Sequence, residues 1–205
     1  MNNRSECLSE QVENALTELG NIGAGNAATS LSVILSSDLT MTPPSARLYD
    51  FNELEGILGG PENLVVGVMS QLYGALDAMM LFVLGYEDAQ NLIHSVLGKQ
   101  MDWQSEMAVS AINEIANILI GSYVASLENL TNSPLRYEQP QICFDMAGSI
   151  LSVPCIEYGQ VSDKALLIHS GFKTGEQEIN GFIMLVSQMH SFDSLLGMLG
   201  IGGAS

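Results

Sequence analysis

From about Ser9 to Ser37 the chain runs without proline, and Val12, Ala15, Leu16, Leu19 and Ile22 recur at helical spacing. That pattern predicts an amphipathic helix. Pro43 and Pro44 forbid its continuation. Shorter units follow: a strand near Ala46–Tyr49, a helix near Phe51–Leu58, and a break at Gly59-Gly60-Pro61. The apolar window Leu64–Tyr86 is as long as the ~20 residues of a membrane span. Gln71 and Asp77 fall near its middle, however, and Gly74 and Gly85 punctuate it. It reads as two strands turning near Gly74–Asp77, so membrane insertion is not expected. A helix over Glu87–Leu97, stopped by Gly98, closes this half.

The same order then recurs. A helix from about Ser105 to Leu130 precedes a strand near Gln141–Asp145 and an irregular or helical piece through Met146–Tyr158. Strands at Ala165–Phe172 and Ile179–Val186 lead to a short helix, Ser191–Leu199, and a Gly-rich tail. Laid over residues 112–146 at a gap-free offset of 96, residues 16–50 give nine identities, among them Glu18/Glu114, Asn21/Asn117, Ser30/Ser126 and Pro44/Pro140. Polar residues and proline are not what a shared helical period alone generates. The expectation is one α+β domain over residues 1–205, internally duplicated as repeats of about 1–98 and 99–205. Each repeat contributes three strands to a pseudo-two-fold, six-stranded mixed sheet, with the two long helices facing outward.

At about 100° per residue, Glu18 and Asn21 lie roughly 60° apart and Asn14 lies roughly 40° from Glu18, so the three share one helix face. The apolar set centres roughly 130° away, which turns Glu18 and Asn21 toward solvent or a partner. The second helix repeats this with Ser110, Glu114 and Asn117. An exposed Glu and Asn are ordinary on a helix surface. Asn is nevertheless a mediocre helix former, and here it stands twice mid-helix, each time three residues after Glu and 23 before Pro.

Charge narrows the partners. Twenty-three acidic residues against six basic ones give a net charge of −17, and the six cations are scattered from Arg4 to Lys173. Neither nucleic acid nor an anionic membrane surface is an expected partner. The three cysteines, Cys7, Cys143 and Cys155, form no CxxC pair, and MNNRSECLSEQVEN has no apolar leader run. A reduced, cytoplasmic setting is the expectation.

The spacing of the polar residues resembles the signature of the CheC/CheX/FliY chemotaxis phosphatases: Asp or Ser, three residues, Glu, two residues, Asn, twenty-two residues, Pro. Ser110, Glu114, Asn117 and Pro140 match it throughout. Glu18, Asn21 and Pro44 match in the first copy, with Asn14 where the family pattern has Asp or Ser. The runs ELGNIGAGNAATS and INEIANILIGSYVASL are also similar to the family's two helices, with Ala116 in place of an expected Gly. No rotor-type domain follows, which favours the free-standing members over the flagellar-switch member.

The resemblance implies a substrate, the phosphoaspartate of the response regulator CheY. It implies that Asn21 and Asn117 orient the attacking water and that Glu18 and Glu114 anchor a lysine of the regulator. It implies two active sites, no cofactor or metal in this chain, magnesium on the regulator, and the receptor deamidase CheD as a second partner. The alternative is a non-catalytic module that binds phosphorylated regulator or CheD.

Other signals are weaker. Gly23-Ala-Gly25-Asn-Ala-Ala28 fits G-x-G-x-x-A but lacks the preceding strand of a dinucleotide site; its small residues favour close helix packing or partner approach. His94, His169 and His190 have no metal-ligand spacing. Ser122, Ser126 and Ser152 lack a G-x-S-x-G setting. The helix at Ser191–Ile201 is read as docked on the sheet, with a partner-docking helix as the alternative.

Overall fold

A computed structural model describes residues 2–35, 39–42, 44–98, 102, 105–158, 164–174, 177–187 and 189–198. The first half runs α1 (Asn2–Leu35), β1 (Leu39–Met41), β2 (Ser45–Asp50), α2 (Phe51–Ile57), β3 (Leu64–Gly74), β4 (Ala78–Gly85) and α3 (Tyr86–Leu97). The second runs α4 (Glu106–Thr131), β5 (Leu135–Tyr137), β6 (Gln141–Met146), α5 (Ala147–Tyr158), β7 (Lys164–Thr174), β8 (Gln177–Ser187) and α6 (Met189–Met198). The Gly-rich tail from Leu199 lies outside the described residues.

Local chemistry sets the boundaries. Ser105 caps α4, its Oγ accepting the Ala108 N–H at 3.3 Å. The Glu53 carboxylate accepts the Asp50 N–H at 3.0 Å and closes the start of α2. Gly98 (φ 68°) ends α3 and Asn132 (φ 48°) ends α4, both in the left-handed conformation that halts a helix and sends its amide back to a free carbonyl.

One sheet gathers all eight strands along the order β1-β7-β8-β4-β3-β5, with β2 also on β7 and β6 also on β3. The expected six strands were two too few. β1 and β5 are three residues long, too short for alternation to reveal them. The expected mixed sheet is also corrected, since every pairing among the described residues is antiparallel. β3–β4 and β7–β8 are hairpins, and the two halves meet through β4 and β8 without the crossover that a parallel pair requires. Each half lends its two short strands to the other half's hairpin. β5 and β6 follow β1 and β2 at the same 96-residue offset as the motifs.

The sheet is the middle of three layers. Val66, Val68, Met80, Phe82, Leu84, Ile168 and Ile183 face α1, α3 and α4, while Val65, Leu81, Val83, Leu167 and Met184 face α2 and α5. Burial on both faces explains why β4 reads as the near-continuous apolar run AMMLFVLG. α4 is long and apolar enough to cross a bilayer, yet Ile112, Ile115, Leu119, Ile120, Tyr123 and Leu127 lie in the core. α6 packs on α4, and its Leu195 is buried in the core cluster that this face of the sheet shares with the long helices.

Candidate functional site

α1 and α4 lie against each other on one side of the sheet, and the small residues of α1 permit it. A Cβ on Gly23 would stand 2.6 to 2.9 Å from three ring atoms of the fully buried Tyr123. Gly23 of the G-x-G-x-x-A run therefore serves helix packing, whereas Gly25 is exposed and an added Cβ there would meet nothing within 4 Å. The apolar faces of both helices turn inward and their Glu/Asn faces turn outward, as the angular argument requires.

On α1, Asn14, Glu18 and Asn21 are exposed, and Pro44 is buried with its ring 3.1 Å from where a Cβ on Gly20 would be. Pro44 thus packs against the helix between Glu18 and Asn21. On α4, Ser110, Glu114 and Asn117 are exposed and Pro140 is buried. Those four residues line one open groove of about 850 Å³ between α4 and the segment joining β5 to β6. Glu18 and Glu114 have no ion-pair partner among the described residues, so both carboxylates are available to a partner's cation.

Several residues of that groove were not found from sequence: Glu106, Asn113, Tyr137, Gln139, Gln141 and Ile142 also line it. Glu106 and Asn113 could have been read from the helical stripe that carries Ser110, Glu114 and Asn117. Apart from Pro140, the opposite wall could not, because it comes from β5 and the segment leading into β6. There the Tyr137 hydroxyl donates to Asn117 Oδ1 at 3.4 Å.

The wall is tied to β3. The Glu138 amide donates to the Gln71 carbonyl at 2.9 Å, and Ser70 Oγ donates to the Glu138 carbonyl at 2.6 Å. Gly74 (φ 112°) admits the Pro134 carbonyl at the turn, where a side chain would meet it at 2.7 Å. The Asn117 groove is thereby a helix face opposed by an anchored strand end.

No cluster of three or more His, Cys, Asp or Glu side chains suited to a metal occurs among the described residues. Burial, followed by Asp145, raises the Cys143 thiol, and burial, followed by Glu55, raises Cys155. Both stay protonated at neutral pH and are poor nucleophiles. Iodoacetamide at pH 7, with site-by-site mass spectrometry, is expected to modify both more slowly than a free cysteine peptide. Modification at or above the peptide's rate would contradict this. Cys7 lies outside the described side chains.

The family described as CheC-like matches residues 12–47. The CheY-P phosphatase CheC of Bacillus subtilis (strain 168) is 30% identical over 201 residues, covering 94% of this chain and 96% of the relative. The crystal structure of Thermotoga maritima FliY superposes with a TM-score of 0.72 at 19% identity, covering 95% of this chain and 98% of that one. CheX in the CheX–CheY–BeF3–Mg complex from Borrelia burgdorferi reaches a TM-score of 0.51 at 16% identity, covering 81% and 96%.

Proposed function

The chain belongs to the CheC-like family, and from that premise we propose that it is a phosphatase acting on the phosphoaspartate of a CheY-type response regulator in bacterial chemotaxis. The observation that carries the reading is the pair of outward-facing Glu-x-x-Asn sites, each at a helix packed near a buried proline.

An acyl phosphate is already activated, so its hydrolysis needs positioning and charge stabilisation rather than a covalent intermediate on this protein. Water attacks phosphorus, the bond from phosphorus to the aspartyl oxygen breaks, and inorganic phosphate and free aspartate result. Asn21 and Asn117 have no titratable proton near neutrality and do not act as bases. Their carboxamides supply one acceptor and two donors, enough to hold a water in line.

Glu18 and Glu114 serve docking, each pairing with a lysine beside the regulator's phosphoaspartate. A carboxylate closer to the phosphoryl group would suffer repulsion. The magnesium is the regulator's, and this chain brings no cofactor. Family membership also supports CheD as a second partner and the cytoplasm as the setting. The repeated element order and the 96-residue offset support an ancestral duplication, with repeats of about 1–98 and 99–205 sharing one core.

Replacing Glu18 and Glu114 together by Gln is expected to raise the regulator concentration that half-saturates phosphate release, with the saturated rate changed far less. Uniform binding lost in this way appears in KM rather than kcat. Phosphate release over a regulator titration, magnesium present, measures both. An unchanged KM would remove the docking role.

A further inference from the structure

The two sites differ in what stands beside the amide. At the second, the Tyr137 hydroxyl donates to Asn117 Oδ1 at 3.4 Å. It reaches that atom across the helix face at Gly121, where a Cβ would meet the hydroxyl at 3.0 Å. The tyrosine is itself held, because β5 pairs Tyr137 with Leu72 of β3 and the next residue is bonded to Gln71 and Ser70. Ninety-six residues earlier the aligned residue is Met41, a residue type without a hydroxyl, and among the described residues no hydrogen bond is made to the Asn21 side chain.

We propose that Tyr137 is a positioning residue that fixes the Asn117 carboxamide and makes the second site the faster of the two. This rests on the phosphatase reading above. The terminal torsion of Asn is broad and roughly two-fold, so an unheld amide exchanges its oxygen and nitrogen faces. A hydroxyl donating to Oδ1 selects one face. The oxygen's second lone pair remains for the attacking water, and the NH2 group remains for a phosphoryl oxygen. Asn21 must be ordered by the regulator itself, at an entropic cost that Asn117 has already met in the free protein.

The test isolates each site. In an Asn21→Ala background only the Asn117 site works, and Tyr137→Phe, which keeps the ring, is expected to lower kcat about 2- to 10-fold, the range of one neutral hydrogen bond. KM is expected to hold. In an Asn117→Ala background the same Tyr137→Phe change is expected to leave turnover as it was. An unchanged kcat at the Asn117 site, a change confined to KM, or an equal fall in both backgrounds would each overturn the proposal. Wild-type turnover undiminished in Asn21→Ala/Asn117→Ala would instead overturn the phosphatase sites, and this inference with them.

Discussion

Replacing Asn21 and Asn117 together by alanine is expected to bring the decay of the regulator's phosphate back to its spontaneous rate while regulator binding persists. The carboxamide is asked to hold water in line and to meet charge that develops on the phosphoryl oxygens. Removing one such preorganised donor costs about 10²- to 10³-fold in rate at a water-excluded site. Both amides are exposed on their helices, and alanine is the better helix former, so the fold has no cause to weaken. Thermal melts and a binding titration check that point. Each single variant should retain turnover from the other site.

The largest structural effect is expected at Gly23. Alanine there would gain about 0.5–1 kcal/mol of helix propensity, yet its methyl group would lie 2.6 to 2.9 Å from the Tyr123 ring. Tyr123 is fully buried in the main core cluster, so the ring has nowhere to retreat. Overpacking of this kind costs about 1–3 kcal/mol, and at this chain length each kcal/mol moves the melting temperature by about 2–4 °C. Gly23→Ala is therefore expected to melt several degrees lower. Gly56→Ala, on α2 with nothing within 4 Å of the added carbon, should melt no lower than the parent. Equal melting of the two variants would contradict the α1–α4 contact.

Helices and long strands were legible because their signals are local. The hairpin β3–β4 could be read from Gly74 and Asp77, and Gly98 marked the end of α3. The Glu-x-x-Asn faces could be read because 3.6-residue geometry alone turns them away from the apolar stripe. Three-residue strands carry no period, so β1 and β5 were invisible. With them went the antiparallel exchange of short strands between halves. Tyr137 was missed for the same reason: its bond to Asn117 spans a helix end, a turn and β5. The role of Gly23 was half legible, since small residues announced close packing but not that Tyr123 fills the space.

The most direct test mixes a phosphorylated CheY-type regulator and magnesium with this protein at a hundredth of the regulator's concentration and follows inorganic phosphate. The account predicts many phosphates released per chain, at a rate well above spontaneous decay. Decay equal to the spontaneous rate, with the regulator bound and CheD supplied, would contradict it and leave the chain a binding module.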